Sequence, residues 1–550
     1  MADGLLNKAS IILTPTGYKA GTLYNVAPVV EPYEDFDFAR ASVASRVNSS
    51  GLVEMVGRSL GSELVTNGDF ATDSDWTLGT GWSIGDNVAK ATSAPFSASI
   101  YQSISTQTNK VYEVQIEIKN YSLGTLRVNN RGGYVDVPQS NGTHTIYLQT
   151  QSSSDNFLYL ESRGSLTASI DNISVKEIID TNNIPRISYD SNGDNGHILL
   201  EPTSTNLITY SEDLTQLYWT TTSLDVETSL VTAPDGSSYA NKLVPDDGIG
   251  GFKGLSRLFN SLSGLHTVSF FAKKGEYNYI MLRTRNSPNT GVMFNLDNGT
   301  FSINIDNDIL VDNSIYMTAL PNDWYRCELT LDPSEATVVG QLNLGWNVGI
   351  TGNEQNSFSG DGVSGVYLWG VQFEALSYAT SYIPTLTGSQ EVRATETATG
   401  AGSADLINST EGVLYAEIAG LVDADTSDRV ISLSDNTITN RVEMKLSSSG
   451  SIQGRFDSAS SDITLTETGL TASNFNKIAL IWSSGKCALF INGVKEQEDL
   501  TFNTFASDVL FDLSFDSAYL GGSSNFYGEV KALAVFNEAL SDSELTQLTT

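Results

Sequence analysis

Residues 64–76, LVTNGDFATDSDW, have a counterpart in residues 207–219, LITYSEDLTQLYW. Both stretches are thirteen residues long, begin with Leu, an aliphatic residue and Thr, carry acids in the middle and end on Trp. The repetition predicts two modules that begin in the same way.

The two modules also end alike. Residues 168–178, ASIDNISVKEI, and residues 366–376, VYLWGVQFEAL, alternate apolar and polar side chains, which is typical of a terminal strand. Short alternating runs such as HTIYLQTQS and HTVSFFAKKG lie between the ends, and turns separate them. This spacing favours antiparallel β-sandwiches.

Both modules resemble known jelly rolls. The first is similar to carbohydrate-binding modules that open with NGDF...W and close with IDNIxV, here residues 67–70, Trp76 and residues 170–175. The second resembles a module of bacteriophage virion proteins through TNLITYSEDL, APDGSSYANKL, DWYR and VQFEALSYATSYIPT, within residues 205–385. The resemblance implies that each opening phrase is a first strand whose Trp, Trp76 or Trp219, closes the core.

The first jelly roll interrupts a segment that is continuous in similar phage proteins. There, a stretch like LTPTGYKAGTLYNVAP...VEMV runs almost directly into one like NIPRISYD...HILLEPTSTNLITYSED. We therefore interpret residues 63–179 as an insertion and infer that residues 1–62 and 180–206 belong together. Because residues 1–62 are too short for a core of their own, we expect them to pack on the second module, on copies of themselves or on a larger particle.

The C-terminal residues predict a third sandwich. FNKIALIWSSGKCALFINGVKE reads as two strands followed by a tight turn at Asn492 and Gly493, and Ser541 and Glu544 predict a capped helix. This pattern resembles the laminin-G-like or concanavalin-like lectin fold over about residues 405–550.

The fold class predicted is therefore all-β, with three tandem antiparallel sandwiches of the jelly-roll and concanavalin-like types. We divide the chain into a virion-anchor segment, an inserted carbohydrate-binding-module-like jelly roll, a phage-type jelly roll and a lectin-like domain, at residues 1–62, 63–179, 180–395 and 396–550.

The charge of the chain excludes some partners. Sixty-four acidic residues against 30 basic ones give a net charge of −34, so a nucleic acid would be repelled. No apolar run long enough for a transmembrane helix is present, and we expect no membrane insertion.

The sequence contains no laminarinase-type catalytic motif. No E-x-D-x-x-E strand occurs, and the three histidines, His144, His197 and His266, stand apart. We expect no catalytic residues, with a polysaccharide depolymerase as an alternative that would require a cleft with paired carboxylates.

Sugar binding is the stronger hypothesis. An exposed aromatic ring beside Asn or Asp is typical of a sugar site, and four residues fit that description: Trp82, Tyr134, Trp346 and Tyr527. The alternative for each is ordinary packing inside its sandwich. The carbohydrate-binding-module resemblance also implies a structural calcium ion bridging opening and closing strands, held by Asp69 and Asp171. The second module has Trp369 and Gly370 at the closing position, so the implied calcium site does not extend to it.

These features predict a fibre-type phage virion protein. It would be made in the host cytoplasm, join other virion proteins through its N-terminal segment and display glycan-binding modules toward the bacterial surface. A homo-oligomer such as a trimer is expected from the resemblance. The competing hypothesis is a structural head decoration or tail accessory protein that braces neighbouring subunits, and jelly rolls serve both tasks.

Overall fold

The computed structural model describes residues 5–27, 34–151, 154–248, 251, 253–284, 290–305, 309–336, 338–349, 358–422, 427–518 and 524–550. Strands make up 53% of the chain and helices 3%, which confirms the all-β class. Helical structure is confined to 3-10 turns at Leu6–Lys8, Pro321–Asp323 and Pro333–Glu335 and to helix α1, Asp542–Thr549, within the described ranges. None of these helices has the length and apolar composition that a membrane crossing needs.

The strands are numbered in chain order. The N-terminal segment and first module contain β1 Ala9–Lys19, β2 Thr22–Ala27, β3 Phe36–Ala39, β4 Ala44–Val47, β5 Val53–Val56, β6 Arg58–Leu60, β7 Thr77–Leu78, β8 Trp82–Gly85, β9 Val88–Ala94, β10 Ser99–Ser103, β11 Val111–Leu123, β12 Leu126–Asn130, β13 Gly133–Asp136, β14 Gly142–Gln149, β15 Phe157–Ser162 and β16 Leu166–Asp180. The connection and second module contain β17 Ile187–Ser188, β18 His197–Leu200, β19 Ser204–Asn206, β20 Thr220–Thr222, β21 Leu224–Thr232, β22 Tyr239–Pro245, β23 Gly254–Phe259, β24 His266–Lys274, β25 Tyr279–Thr284, β26 Gly291–Asn295, β27 Thr300–Ile305, β28 Tyr316–Leu320, β29 Trp324–Leu331, β30 Leu342–Gly349, β31 Val366–Glu374 and β32 Glu391–Arg393. The C-terminal module contains β33 Thr397–Thr399, β34 Gly412–Gly420, β35 Arg429–Ser434, β36 Arg441–Leu446, β37 Ile452–Ser458, β38 Ser461–Glu467, β39 Asn476–Ser483, β40 Lys486–Ile491, β41 Val494–Asp499, β42 Asp512–Ser514 and β43 Gly528–Phe536.

The first module is a sandwich of two antiparallel sheets. One sheet has the order β13-β12-β15-β10-β7, and the other has the order β14-β11-β16-β9-β8. Alternate residues of β11, among them Val114 and Ile116, are fully buried between the sheets. Trp76 lies in the same core against Phe70, with ring centroids 5.3 Å apart, as its place in the opening stretch predicted.

The chain enters and leaves this module at one point. Strand β6 pairs with the end of β16, so that Leu60 lies opposite Ile178 and Arg58 opposite Asp180. The Arg58 guanidinium donates hydrogen bonds of 2.9 and 3.0 Å to the two Asp180 carboxylate oxygens. Adjacent entry and exit strands are what the insertion hypothesis requires.

The second module is also a two-sheet sandwich, with strand orders β20-β23-β30-β25-β26-β27 and β21-β22-β31-β24-β29-β28. Trp219 packs in its core against Trp346, with ring centroids 5.5 Å apart. The opening phrase therefore supplies a core tryptophan here too.

The C-terminal module pairs a long sheet, β33-β3-β2-β1-β43-β34-β39-β40-β41, with a second sheet, β38-β37-β36-β35-β42. Asn492 and Gly493 form the predicted turn between β40 and β41. The predicted capping box is also present, since Ser541 and Glu544 each accept a hydrogen bond from the other's backbone N–H.

The N-terminal segment is part of this C-terminal sandwich. Strand β1 lies antiparallel to β43, with Ile11 opposite Val535 and Leu13 opposite Leu533. Ile11 and Leu13 share one core with residues of β34 to β43. The expected alternatives, packing on the second module, on copies or on a larger particle, did not include this sheet, because the apolar face of β1 shows that it is buried but not where. The segment also packs on the second module as expected: Val53 shares a buried cluster with Trp369, and the Ser45 hydroxyl donates to the Tyr382 carbonyl at 2.6 Å.

The N-terminal segment and the connection after the first module are in contact. Gly21 donates its backbone N–H to the Asn183 carbonyl at 2.6 Å, and Asn183 donates its own to the Arg40 carbonyl at 2.9 Å. Strand β18 then joins the long sheet beside β43. The described parts of residues 1–62 and 180–206 are therefore joined by backbone hydrogen bonds.

A buried ionic hub lies where these segments meet the exit of the second module. We use this name for Arg40, Arg186, Arg393, Glu201 and Glu396, whose side chains are at most 3% exposed. Arg186 donates to Glu396 at 2.9 Å and to Glu201 at 2.8 Å, and Arg40 donates to Glu396 at 2.6 Å. The cations hold the pKa of Glu201 near 2, in spite of a burial penalty that acts in the opposite direction. The hub therefore joins three parts of the chain through desolvated charges.

Candidate functional site

The junction cleft is a cavity of about 440 Å³ between the first and second sandwiches. It is bounded by β13 and β14 on one side, and by residues 210–216, β21, β22 and residues 385–387 on the other. One side-chain contact that spans the two modules is the 3.0 Å hydrogen bond between the hydroxyls of Ser140 and Thr228. The inserted jelly roll therefore completes a cavity that the second sandwich begins.

Tyrosines from both modules line this cleft. Tyr134 and Tyr147 come from the first sandwich, and Tyr210 and Tyr239 come from the second. Tyr134 is 60% exposed and Tyr239 is 41% exposed, so both present ring surface to solvent. A tyrosine side chain combines an apolar ring face with a polar hydroxyl, which suits ligands that carry apolar and polar groups close together.

Tyr134 is held in place by neighbours on its own sheet. Arg127 and Asp136 are opposite each other on β12 and β13, and Asn129 is opposite Tyr134, so Arg127 and Tyr134 share one face. The Arg127 guanidinium carbon lies 3.9 Å from the Tyr134 ring centroid. Nε and Nη2 of the same guanidinium donate hydrogen bonds of 2.6 and 2.9 Å to the Asp136 carboxylate. An exposed ring fixed in this way loses little conformational entropy when a ligand stacks on it.

The second module supplies polar groups from its opening phrase. The Asp213 carboxylate accepts from the Thr215 hydroxyl at 2.6 Å and from the Gln216 amide at 2.7 Å. The Asn241 amide donates to the Glu212 carbonyl at 2.5 Å. These contacts orient carboxylates and amides that line the cleft.

Two titratable groups of the cleft are shifted toward their neutral forms. Burial raises the pKa of Glu212 to about 8, with repulsion from Asp235 adding to it, and the Tyr382 hydroxyl donates to Glu212 at 3.0 Å. Burial also lowers the pKa of His144, whose Nε2 lies 2.9 Å from the Ser140 carbonyl oxygen. At neutral pH the cleft thus holds a protonated carboxyl group and an uncharged imidazole.

The structure separates the four predicted sugar-binding residues. Only Tyr134 among them lines the junction cleft. Trp346 has no exposed surface and Trp82 is 7% exposed, with its indole N–H donating to the Ala98 carbonyl at 3.3 Å. Neither ring offers a face to a sugar, so the prediction for these two tryptophans is wrong. Tyr527 is partly buried, and its hydroxyl bonds to Thr395 at 2.8 Å, away from the cleft.

One sequence signal for Trp346 was available. Leu342, Leu344, Trp346 and Val348 alternate along β30, which places them on a single face, and all four lie in the core. By contrast, no local signal shows that Tyr134 and Glu212 meet, because they belong to different modules. The repeated opening phrase contains Tyr210, Glu212 and Asp213, but it predicted only a first strand and not a binding site.

The implied calcium ligands do not form a cation site. The opening and closing strands do meet, since Ile173 donates its N–H to the Gly68 carbonyl at 2.9 Å. However, Asp171 accepts from the Lys119 ammonium at 2.8 Å, and Asp69 is exposed beside its own turn. No cluster of three or more His, Cys, Asp and Glu suited to a metal occurs among the described residues. An ammonium group at Asp171 repels a divalent cation, so these side chains do not fit the calcium ion that the resemblance implied.

A second cavity, of about 510 Å³, lies between the second and C-terminal sandwiches. Arg326 pairs with Glu328 at 2.9 Å, and the His197 Nε2 lies 3.6 Å from a Glu529 carboxylate oxygen. Its aromatic rings are no more than partly exposed. The junction cleft, with its open tyrosine faces, is therefore the better candidate site.

Comparisons with known proteins identify part of the C-terminal module. Residues 421–546 match the family described as the concanavalin A-like lectin/glucanases superfamily. No curated protein sequence matches this chain.

Several solved structures are similar to parts of this chain. The Ruminococcus gnavus IT-sialidase CBM40 is 17% identical, over 28% of this chain and 94% of its own, with a TM-score of 0.24. The CBM22-1-CBM22-2 tandem domain from Paenibacillus barcinonensis Xyn10C is 14% identical over 57% and 98%, with a TM-score of 0.22. Domains LG4-5 of the mouse laminin alpha1 chain are 11% identical over 54% and 90%, with a TM-score of 0.19.

Proposed function

We propose that this protein binds glycans in the junction cleft. The observation that carries the proposal is the exposed Tyr134 ring, fixed by Arg127, across a cavity from the carboxyl and amide groups of the second module. Sugars are recognised by aromatic faces against their C–H surfaces and by planar polar groups that bond their hydroxyls. The volume of about 440 Å³ is within the usual range of small-ligand sites.

The proposal is binding without cleavage. A retaining or inverting glycosidase needs two carboxylates at a defined separation on either side of the scissile bond. The chain has no E-x-D-x-x-E strand. The two carboxyl groups that the opening phrase of the second module contributes to the cleft, those of Glu212 and Asp213, are adjacent in sequence. The lectin/glucanase match at residues 421–546 is compatible with either activity.

The setting we propose is the surface of a phage particle. The support is the resemblance of residues 205–385 to virion modules, and the role is adhesion to the bacterial host through displayed glycan-binding modules. Several weak sites on one particle can gain roughly 10²- to 10⁴-fold in avidity, which favours an oligomer. Attachment to other virion proteins through the N-terminal segment would use its outward side, because Ile11 and Leu13 are buried in the C-terminal sandwich.

Binding of the full-length chain to extracted host polysaccharides tests this function. We expect saturable binding that Tyr134→Ala weakens by about tenfold, the loss of one stacked ring. Phe96→Ala is the matched control, because Phe96 is 62% exposed, belongs to the same module, and carries Arg163 at 4.1 Å from its ring but does not line the cleft.

Two results would contradict the proposal. One is equal loss of binding in Tyr134→Ala and Phe96→Ala. The other is the absence of glycan binding by a folded chain that still attaches to purified particles lacking it, which would favour a structural decoration instead.

A further inference from the structure

We infer that the junction cleft selects glycans without negative charge, meaning neutral sugars and amino sugars, and rejects those that carry carboxylate, phosphate or sulfate groups. This inference rests on the proposed function, since it specifies the ligand class of the same site. It follows from which charges line the cleft and from which polar groups remain available there.

Acidic side chains line the cleft and basic ones do not. Asp136, Glu212 and Asp213 border it, whereas no lysine or arginine does so within the described ranges. Asp136 is paired with Arg127 and Glu212 is held in its protonated form, so the negative charge that a ligand meets is mainly that of Asp213. His144 is 5% exposed, and its burial disfavours the charged form. An anionic sugar would therefore enter without a cation to neutralise it.

The guanidinium groups close to the cleft are already engaged. Arg58, which acts electrostatically on Glu212, donates hydrogen bonds of 2.9 and 3.0 Å to Asp180. Arg127 lies against the Tyr134 ring and forms two hydrogen bonds to Asp136. To bind a ligand carboxylate, it would have to leave both Asp136 and the ring that it positions. The contacts that fix the Tyr134 ring therefore also keep the positive charge of Arg127 from pairing with a ligand.

The remaining polar groups suit hydroxyls, which both donate and accept. Glu212, held near neutrality by its surroundings, has a carboxyl proton to donate and a carbonyl oxygen to accept with. Gln149 and Gln151 add two amides at the rim. The Asp213 carboxylate, in addition, would attract an ammonium group on an amino sugar.

Repulsion should be large enough to measure. A ligand that places a negative charge 4 to 6 Å from a carboxylate near a protein surface binds about tenfold or more weakly than the same ligand without the charge. This difference shrinks as salt screens the repulsion. Discrimination by hydrogen bonding alone would not depend on salt in this way.

The test uses the full-length protein on an array of neutral, amino-bearing and acidic oligosaccharides. The best-binding neutral glycan is then compared, by titration calorimetry, with its derivative oxidised from hydroxymethyl to carboxylate at C6. We expect the oxidised form to bind at least about tenfold more weakly in 20 mM salt, and the ratio to fall in 500 mM salt.

Two variants keep the result independent of folding defects. Asp213→Asn should reduce the ratio of the affinity for the neutral glycan to the affinity for its oxidised derivative. Gln216→Lys should raise the affinity for the oxidised form, a gain that a damaged fold cannot produce. Equal or tighter binding of acidic glycans by the wild-type chain would overturn the inference and leave the proposed function standing. Absence of binding to every glycan would remove both.

Discussion

The guanidinium of Arg127 stacks 3.9 Å from the ring centroid of Tyr134, and Asp136 holds that guanidinium in place through two hydrogen bonds. The three side chains lie on one face of two neighbouring strands. The most exposed aromatic ring of the junction cleft is thus set before any ligand arrives.

Replacement of Arg127 should weaken binding without removing the ring. We expect Arg127→Ala to raise the Kd for a bound glycan by about two- to fivefold, since an exposed cation–π contact contributes roughly 0.5–1 kcal/mol to ordering the ring. Calorimetry would measure this against Arg163→Ala, which removes the same contact from Phe96 outside the cleft. A loss as large as that of Tyr134→Ala would show that Arg127 contacts the ligand itself.

Glu212 should make stability fall as pH rises. Its pKa is about 8 in the folded chain against an ordinary value of 4.5, so between these two values the folded state binds the proton more strongly than the unfolded state. Deprotonation then favours unfolding, and the free energy of unfolding decreases from about pH 4.5 to pH 8. Glu212→Gln keeps an acceptor for Tyr382 and should show little change in Tm at pH 5 but a higher Tm than wild type at pH 9.

Thermal unfolding across pH 5 to 9 checks this expectation. Glu335→Gln, at an exposed position, provides the control. Parallel Tm profiles for wild type and Glu212→Gln would show that the pKa of Glu212 is not raised in the folded chain.

The buried ionic hub should be sensitive to the loss of one charge. Glu396→Gln leaves the guanidinium groups of Arg40 and Arg186 facing a neutral amide in a dry environment. Removal of one partner from a buried ion pair costs about 3–5 kcal/mol, so we expect a large fall in the denaturant midpoint of the transition that includes the C-terminal sandwich.

The control is an ion pair on the surface. Arg46 and Glu54 lie 3.0 Å apart, with the Glu54 side chain 45% exposed, and Glu54→Gln should change the unfolding free energy by less than about 1 kcal/mol. Equal effects of Glu396→Gln and Glu54→Gln would mean that water reaches the hub.

The first module should be removable. Because Leu60 and Ile178 are directly opposite on paired strands, an Asn-Gly turn can replace residues 61–177 and preserve the pairing of β6 with the end of β16. We expect the shortened chain to fold, to retain the unfolding transition of the C-terminal sandwich, and to lose glycan binding in the junction cleft. An insoluble or unfolded product would show that the module is required for folding of the remainder.

Local patterns predicted local structure well. Alternation predicted the strands, Asn492 and Gly493 predicted a turn, and Ser541 with Glu544 predicted a helix start, because each feature depends on residues close in sequence. The opening stretches likewise placed Trp76 and Trp219 in two cores. The sequence was less informative where contacts join distant residues, as between β1 and β43.

The candidate site shows the same limit. Tyr134 was predicted from its own surroundings, but its polar counterparts belong to another module, and their meeting depends on how the two sandwiches are joined. The errors at Trp82 and Trp346 arose instead from local sequence. A Gly- and Asn-rich context suggested exposure, whereas strand alternation, which decides the direction of a side chain, pointed inward for Trp346.

The pairing of β1 with β43 has a consequence for biosynthesis. The Ser10 hydroxyl donates a hydrogen bond to the Val535 carbonyl across 525 residues, so β1 leaves the ribosome long before its partner β43. At about 5–20 residues per second, this delay lasts roughly half a minute to two minutes, while the two inner sandwiches can already fold. During that interval Ile11 and Leu13 lack their partners, and nascent chains held close together could exchange first strands, one linking itself to another's C-terminal sheet.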